Sequence, residues 1–535
     1  MIRDAMTNDV AQASERKRAT ADAPAAKKPR SKPVTFGRML VENIESLGAA
    51  IIMALVLKYF LVEAYKIPTG SMQPTIMGSD DVSDRVLVNK FIYLITQPER
   101  FDVIVFKWPF DHSVNYIKRL IGLPGEQIQI RNGDIFVAAR RDPPGTLPEL
   151  KPELKPELKP ELKIVRKDKS AREAVLKRVY PGLDKPNGIS PDTPLAQAFP
   201  TSINVKFEGR DRALVDAGTT ARLIYAPQDS SRYSQNRGGV RDDPWHGYDP
   251  RLIPDDAPLF MHDAFWVGDL KISCTARASA AGSIGAEIDE AGHRHYFHLA
   301  VGDAGESYIA TSDPSPHDDG GNGSERRVVL SNVRLKPGKS YDLAFMNIDD
   351  TMIVEVDGDE VGRLEYETPD AMDKIERNRI ELLVDHCGAV LSDVEIARDI
   401  YYLASASGAN DWRSRVWEVP EGHYFALGDN TQNSSDSREW REQTLELKDG
   451  RKLHGAYVPQ RGAESNPRSV GSGKIRFHDE NGEDWLVNQS DLKDNWANDN
   501  REQPYIAAEL MLGKAFFVFW PVWPFAPTVR WKLIH

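Results

Sequence analysis

Short runs in which apolar and polar residues alternate recur along this chain, and they constrain its fold to one made mainly of β-strands. Examples within residues 65–140 are Arg85–Phe91 and Phe101–Lys107. A period of two is typical of strands that bury one face. Asn132-Gly133 separates two further alternating runs, and Asn-Gly in that position is a strong hairpin signal. We therefore predict a β-domain over residues 65–140.

Alternating runs return between residues 258 and 403, with turn signals at regular spacing. Many short strands in a segment of this length predict a β-sandwich, and the arrangement resembles concanavalin-like or laminin-G-like jelly rolls. Its clearest predicted strands are Leu270–Cys274, Tyr296–Val301, Tyr341–Phe345, Met352–Val356, Ile380–Val384 and a closing strand, Val394–Ile396.

The segment 141–257 separates these two regions. Its first part, from Leu147 to Lys163, repeats the unit Pro-Glu-Leu-Lys, in which proline at every fourth position prevents a sustained helix and favours an extended spacer. The pattern from Ser170 to Val179 predicts a helix that ends before Pro181-Gly182. The rest of this segment is not assigned.

The N-terminal region carries a polar tail and an apolar run. Residues 1–38 are expected to be disordered. Residues 39–64 are long enough to span a membrane as a helix, which needs about 20 residues, although Lys58 would have to reach an interface. A cleaved signal peptide is the alternative, but no convincing cleavage site follows the run. Basic residues upstream predict a cytoplasmic N-terminus, with everything after residue 65 on the outer face.

Composition excludes several classes of protein. The chain has 535 residues, enough for two to four domains, and its net charge of −12 argues against a general nucleic-acid binder. With only two cysteines, Cys274 and Cys387, a cysteine-rich metal site and a disulfide scaffold are excluded. One disulfide and two buried free thiols both stay open.

Ser71 and Lys118 are the candidate catalytic residues. A serine hydroxyl is a poor nucleophile until a base takes its proton, and a buried neutral lysine can act as that base. Ser71 follows closely on the apolar run, and Lys118 lies between Tyr116-Ile117 and Leu120-Ile121. The alternative is an ordinary solvated lysine on a strand. His112, in a proline-flanked loop, is the one histidine within residues 65–140.

Three segments in order resemble the conserved boxes of bacterial type I signal peptidases. They are Pro68–Thr75 with the strand Asp84–Phe91, then Arg100–Phe106 through Asn115–Glu126, and finally Gly428–Arg438 with Gly513–Ala515 and Trp520-Pro521. The resemblance covers residues 65–140 and 412–535 and implies a catalytic β-domain, 65–140 with 404–535, that is split by the inserted sandwich. In Gly428–Arg438, Thr431-Gln432 departs from the basic-acidic pair usual in the family.

The resemblance also implies a role for each matched residue. Ser71 would be the nucleophile, Lys118 the general base, and Ser434 the residue that orients the lysine amine. The Thr69 hydroxyl and the Ser71 backbone N–H would form the oxyanion hole. Asp429, Asn430, Asp436 and Arg438 would support the loop, and the residues lining small substrate pockets would be Ile67, Met72, Ile76, Tyr116 and Ile117.

The function implied is the removal of signal peptides from secretory preproteins after small-x-small sequences, at the outer face of the cytoplasmic membrane. Preproteins and membrane lipid would be the partners, with no nucleic acid, no cofactor and no metal. His293-x-His295-x-x-His298 and Asp349-Asp350 are interpreted as strand faces and turns. A membrane-anchored protein whose sandwich binds glycan or protein on an inactive peptidase fold is the alternative. A self-cleaving regulator is disfavoured by the span and by the lack of a DNA-binding motif.

Overall fold

The computed structural model divides the chain into two compact units, Met1–Leu61 and Val62–His535. The structure describes residues 47–48, 61–78, 83–139, 162–181, 194–226, 239–242, 265–290, 292–312, 325–368, 378–405, 415–459, 465–493, 496, 500–520 and 531–534.

In the first unit, the described residues Leu47 and Gly48 are helical. The predicted tail over 1–38 and most of the predicted span over 39–64 lie outside the described residues. Among the residues that are described, no helix is long and apolar enough to cross a membrane. The predicted C-terminal bound of the span is wrong, because Val62–Ala64 pair antiparallel with residues 87–89 as part of a strand.

The first part of the second unit consists of strands, as predicted. Its elements are β1 (Val62–Lys66), a one-turn 3-10 helix (Gly70–Met72), β2 (Arg85–Asn89), α1 (Ile92–Ile95), β3 (Val103–Trp108), β4 (Asp111–Gly122), β5 (Glu126–Arg131) and β6 (Asp134–Ala139). The Asn-Gly hairpin is confirmed, since Asn132 and Gly133 have φ of 49° and 102° and join β5 to β6. Both angles are in the left-handed region that a two-residue hairpin turn of this kind needs.

The middle of the chain contains two short helices and most of the strands. Its elements are β7 (Lys163–Ile164), α2 (Lys169–Val175), β8 (Lys177–Tyr180), α3 (Leu195–Ala198), β9 (Lys206–Glu208), β10 (Arg212–Ile224), β11 (Arg241–Asp242), β12 (Phe265–Trp266), β13 (Leu270–Ala278), β14 (Gly282–Glu290), β15 (His293–Val301), β16 (Tyr308–Ser312), β17 (Glu325–Val329), β18 (Ser340–Ile348), β19 (Thr351–Val356), β20 (Asp359–Glu365) and β21 (Asn378–Arg398). Most of the Pro-Glu-Leu-Lys repeat lies outside the described residues.

Twelve of these strands form one sheet that folds over on itself around β21. The first half of β21 pairs with β14 and its second half with β13, while β10 pairs along its other edge. Phe297 on β15 packs against Phe345 on β18, with ring centroids 5.6 Å apart, so the two halves face each other across a core. This two-layered arrangement agrees with the predicted sandwich. Cys274 and Cys387 lie in its core as free thiols, and no disulfide joins them.

Three predicted bounds in this region are wrong. The sandwich begins before residue 258, because β8, β9 and β10 belong to its sheet. The helix predicted over Ser170–Val179 ends at Val175, because residues 177–180 pair with the end of β21. The closing strand predicted at Val394–Ile396 is the last part of β21. Each error has the same cause, which is pairing with a partner distant in sequence.

The last part of the chain consists of further strands. Its elements are β22 (Trp417–Glu418), β23 (His423–Leu427), β24 (Arg441–Glu446), β25 (Lys452–Ala456), β26 (Arg468–Gly471), β27 (Lys474–His478), β28 (Asp484–Asn488), a 3-10 turn (Gln489–Asp491), β29 (Asn500–Glu502), β30 (Ile506–Ala507), a second 3-10 turn (Ala508–Leu510), β31 (Met511–Trp520) and β32 (Lys532–Leu533).

One sheet combines strands from both ends of the second unit, in the order β1-β2-β31-β3-β4-β23-β30. β31 lies between β2 and β3, so the segments before and after the insert form a single β-domain, and the predicted split is confirmed. Within β31, Ala515 and Val518 are buried and Phe516, Phe517 and Trp520 are half-buried.

Candidate active site

The main sheet brings together the three segments that carry the candidate catalytic residues. Lys118 lies on β4, near the middle of the sheet. Ser71 is in the 3-10 helix that follows β1. β23 pairs with β4 at Arg119–Gly122 and leads directly into the loop Gly428–Arg438. Strand pairing therefore places this loop beside Lys118, although more than 300 residues separate them.

Lys118 and Ser71 are in direct contact. The Lys118 Nζ lies 2.6 Å from the Ser71 Oγ, and the two residues are 3% and 8% exposed. Burial lowers the pKa of Lys118 from 10.5 to about 8, against the opposing effect of the Asp436 carboxylate. The ammonium also lies 5.4 Å from the centroid of the Tyr116 ring. A buried lysine with a lowered pKa and a serine within hydrogen-bond distance can act as base and nucleophile.

His112 is not positioned to act as this base. It lies on β4, six residues before Lys118, which corresponds to about 20 Å along a strand. Its backbone N–H donates to the Glu480 carbonyl oxygen at 2.7 Å. In the described part of the chain, the lysine amine is therefore the base nearest to the serine hydroxyl.

Asn430 holds the backbone around Ser71 in place. Its backbone N–H donates to the Ser71 carbonyl oxygen at 3.0 Å, and its side-chain amide donates to the Gly70 carbonyl oxygen at 3.1 Å. Because both contacts are made to backbone atoms, they fix the turn that presents Ser71 whatever the rotamer of the serine.

Ser434 lies in the same loop and is 5% exposed. Its Oγ makes no hydrogen bond to any described residue. A Cβ built on Gly428 would be 2.2 Å from this Oγ and 2.5 Å from the Ser71 carbonyl oxygen, so Ser434 and Ser71 both pack closely on the bare face of Gly428. The hydroxyl is therefore buried near Ser71 with its hydrogen-bonding capacity unused.

Thr69 immediately precedes the 3-10 helix that carries Ser71. Its side chain is exposed and caps no backbone N–H of that helix, and its backbone is extended, with φ −120° and ψ 153°. The hydroxyl is thus accessible to a molecule that reaches Ser71 from solvent.

Asp436 and Arg438 form a fully buried ion pair at the end of the loop. The guanidinium Nε and Nη2 donate to the two carboxylate oxygens at 2.8 and 2.7 Å. Asp436 also accepts from the Gly428 N–H at 3.0 Å, and Arg438 donates to the carbonyl oxygens of Leu403 and Thr431. Burial alone would raise the pKa of Asp436, but Arg438 outweighs it and holds the pKa below the usual value.

Arg119 is a buried residue whose role was not inferred from the sequence. Its guanidinium donates to both oxygens of Asp429, at 2.8 and 2.7 Å, and to the Phe101 carbonyl oxygen at 2.8 Å. The Thr75 hydroxyl also donates to Asp429. Arg119 follows Lys118 directly, so this pair ties the lysine strand to the loop. The only signal in the sequence was its position inside a matched segment.

The predicted pocket residues do not all lie together. Ile67, Met72 and Ile76 are buried in one apolar cluster, against which Ile117 packs. Tyr116 packs in a different cluster, although its ring faces Lys118. Met72 and Ile76 are 0% exposed, so any pocket that they line is closed in this structure.

Outside this site, carboxylates cluster where the sandwich meets the catalytic domain. Ligand oxygens of Asp134, Asp269 and Asp349 lie within 4.8 Å of one another, a spacing that could hold a metal ion. The buried Lys167 ammonium occupies this region, paired with Asp349 and with Asp399. Lysine therefore provides positive charge to these carboxylates.

The histidines and aspartates for which a metal site was considered lie on strands and at a turn. Asp349 and Asp350 have φ of 50° and 53° in the turn between β18 and β19. His295 is hydrogen-bonded to Thr311 and Tyr366, and burial lowers its pKa to about 3.

Comparison with known families and proteins finds similarity to one family and to several curated proteins. Residues 40–178 and 354–460 match the family described as signal peptidase, peptidase S26. The chain is 45% identical to signal peptidase I of Pseudomonas fluorescens over 103 residues, covering 17% of this chain and 35% of that protein. It is 39% identical to signal peptidase I of Leptolyngbya laminosa over 106 residues, covering 18% and 50%. The chain thus spans a third to a half of the length of these relatives.

Solved structures with some likeness each cover about a quarter of the chain. Galectin LEC-6 of Caenorhabditis elegans is 17% identical, with a TM-score of 0.17, and covers 24% of this chain and 84% of its own. The carbohydrate-binding module CBM66 of Bacillus subtilis is 14% identical, with a TM-score of 0.18, and covers 24% and 79%. These TM-scores are too low to assign a fold or a ligand.

Proposed function

We propose that the chain, two stretches of which match the signal peptidase family, peptidase S26, is a membrane-bound serine endopeptidase that removes signal peptides from secretory preproteins. The observation that carries this proposal is the 2.6 Å contact between the buried Lys118 amine and the Ser71 hydroxyl. The two groups form a complete nucleophile and base without a metal or cofactor.

In the first half of the reaction, neutral Lys118 takes the Ser71 proton and the serine oxygen attacks the scissile carbonyl carbon. The Ser71 N–H and the Thr69 hydroxyl donate to the oxygen on which negative charge develops. The carbon–nitrogen bond then breaks, and the lysine ammonium gives its proton to the leaving amine, which becomes the N-terminus of the mature protein. The signal peptide stays attached to Ser71 as an ester.

In the second half, Lys118 takes a proton from water, and the resulting hydroxide attacks the ester carbonyl. The ester bond breaks, the serine oxygen regains a proton, and the signal peptide leaves with a new carboxylate. Ser434 supports both halves. Its buried unused hydroxyl is the group that would hydrogen-bond the lysine amine and keep its lone pair directed at Ser71.

A preprotein would bind as an extended strand beside β4. β23 pairs with β4 only from Arg119 onward, and in the described part of the chain no strand pairs with that edge of β4 between residues 113 and 118. An extended peptide can add to such an edge through backbone hydrogen bonds. Ile67, Met72, Ile76, Tyr116 and Ile117 would then limit the side chains before the cleaved bond to small ones.

The apolar run in residues 39–64 would anchor the protein in the cytoplasmic membrane, with a cytoplasmic N-terminus and the catalytic domain on the outer face. Its end is revised to residue 61, because β1 begins at Val62. Extraction of membranes with alkaline carbonate tests this proposal. The full chain should stay with the membranes, and its release into the soluble fraction would contradict a spanning anchor.

The proposed activity is tested with purified full-length protein and a preprotein whose signal peptide ends in Ala-x-Ala. The wild type should cut after the final alanine, and Ser71→Ala and Lys118→Met should be folded and at least about 10³-fold slower, because each removes one member of the pair. Matched controls outside the site are Ser392→Ala, at a half-buried position, and Lys163→Met, at an exposed one. An inert wild type whose sandwich binds glycan or protein would favour the anchored binding protein instead.

A further inference from the structure

Lys177 is a buried lysine that the proposed reaction does not use. It lies at the start of β8, a strand of the insert whose backbone pairs with the end of β21, opposite Arg398. Its side chain points away from the sandwich core to the catalytic domain, where it is 5% exposed. A buried lysine is costly unless it is hydrogen-bonded, so its contacts indicate what it stabilises.

The Lys177 Nζ contacts the segment that follows the candidate nucleophile. It donates to the Thr75 Oγ1 at 2.7 Å and to the Ala174 carbonyl oxygen at 3.1 Å. The Thr75 hydroxyl, having accepted from Lys177, donates its own proton to the Asp429 carboxylate. Each hydrogen bond in this series therefore has one donor and one acceptor. Lys177, Thr75 and Asp429 are each less than 6% exposed.

Asp429 connects Thr75 to the segments that carry both candidate catalytic residues. Its carboxylate binds the guanidinium of Arg119, the residue next to Lys118 on β4. The following residue, Asn430, donates to the Ser71 carbonyl oxygen. A movement of Thr75 or Asp429 would therefore displace the serine turn relative to the lysine strand.

Three cationic side chains interact electrostatically with the Asp429 carboxylate or with one another. They belong to Lys177, Arg119 and Lys532. Burial, followed by the nearby Lys532, holds the pKa of Lys177 well below its usual value. An amine donates N–H hydrogen bonds in its neutral form too, so the contact with Thr75 does not require a charge.

We propose that Lys177 is a positioning residue through which the insert holds the Ser71 turn at the correct position relative to Lys118. The inserted segment is thus part of the catalytic unit and is not a separate passenger domain. This inference rests on the proposed peptidase activity and adds to it a residue that lies outside the three matched boxes. It assigns the positioning role to a chain of contacts, Lys177 to Thr75 to Asp429.

The test compares the full-length wild type with Lys177→Met, Lys177→Gln, Thr75→Val and the double variant Lys177→Met with Thr75→Val. Lys163→Met, an exposed lysine of the insert, is the matched control. The readout is the single-turnover rate constant for cleavage of the Ala-x-Ala preprotein at saturating enzyme. This constant is a property of each correctly folded molecule, so a smaller folded fraction does not lower it.

Lys177→Met and Lys177→Gln should each lower this rate constant by about ten- to a hundredfold, since displacements of about 1 Å can cost about 10²-fold. KM should change less than about twofold, because Lys177 is not expected to touch the substrate. The midpoint of the pH–rate profile should stay where Lys118 sets it. The double variant should be no slower than the slower single variant, since both changes break one chain of contacts.

A wild-type rate constant in both Lys177 variants would overturn the inference, and so would effects of Lys177→Met and Thr75→Val that multiply. If the wild type itself does not cleave, the proposed function fails, and the contact is judged by the unfolding midpoints of the wild type, Lys177→Met, Thr75→Val and the double variant. If the shift of the double variant equals the sum of the two single shifts, the contact between Lys177 and Thr75 is overturned. If it is smaller than that sum, the contact is supported.

Discussion

Replacement of Lys118 by methionine should abolish activity and also make the protein more stable at neutral pH. Lys118 is 3% exposed, and burial holds its pKa at about 8 in the folded protein, against 10.5 for an ordinary lysine. The folded state therefore binds fewer protons at Lys118 than the unfolded state between about pH 8 and 10.5, and at lower pH both states are protonated. Stability is lost as the pH falls from 10.5 toward 8, and the full penalty is present below about 8.

The size of this penalty follows from the difference between the two pKa values. At about 1.4 kcal/mol for each pKa unit, the fall from 10.5 to about 8 corresponds to about 3 kcal/mol at pH 7. Methionine removes this penalty and also the hydrogen bond to Ser71, which contributes roughly 1 kcal/mol. The net gain is about 2 kcal/mol at pH 7. At pH 10 roughly 1 kcal/mol of the penalty is left, and the lost hydrogen bond offsets it.

Thermal unfolding of the full chain, followed by tryptophan fluorescence at pH 7 and pH 10, measures this difference. Lys118→Met should raise the unfolding midpoint of the catalytic domain by roughly 4 °C at pH 7 and by almost nothing at pH 10. Lys163→Met is the control, because an exposed lysine should give no difference that depends on pH. The reasoning is refuted if Lys118→Met is less stable than the wild type at pH 7, or if its gain is the same at both pH values.

Three further outcomes are expected. The cleavage rate should rise with pH to a plateau, with a midpoint near pH 8, so that the rate at pH 7 is about one-tenth of the plateau rate. A rate that is flat between pH 6 and 9 would contradict the assignment of Lys118 as the base. Gly428→Ala should lower kcat at least about 100-fold, because the new Cβ would lie 2.5 Å from the Ser71 carbonyl oxygen, and wild-type kcat would show that the turn can move freely. Cys274 and Cys387 are buried thiols whose pKa burial raises to about 12 and about 11, so an alkylating reagent at pH 8 should label them only after unfolding in urea, as mass spectrometry can establish.

Local sequence patterns were enough to predict four strands in the first part of the catalytic domain, β2, β3, β5 and β6. The alternating run at Arg85–Phe91 became β2, and Asn132-Gly133 formed the turn between β5 and β6. These features depend on neighbouring residues, so they can be seen in a short window. The predicted meeting of Ser71 and Lys118 came from the resemblance of whole segments, because no local pattern reports a contact across 47 residues.

Contacts between distant segments were not predictable in the same way. The position of β31 between β2 and β3, and the inclusion of β8 and β10 in the sandwich sheet, depend on pairing across hundreds of residues or across the unassigned segment. Arg119 and Thr75 are another example, since charged and small polar residues are mostly exposed in folded proteins. Their burial around Asp429 became apparent only with the loop in place.

The place of β31 in the main sheet has a consequence for biosynthesis. β2 and β3 leave the ribosome early, but the strand that lies between them is made roughly 400 residues later, or about 20–80 s at 5–20 residues per second. Until then the sheet is open at its centre, and for most of that time the Ser71 turn also lacks Asn430, which holds its backbone. A nascent chain of this protein should therefore be unable to assemble the complete candidate site before β31 has been made.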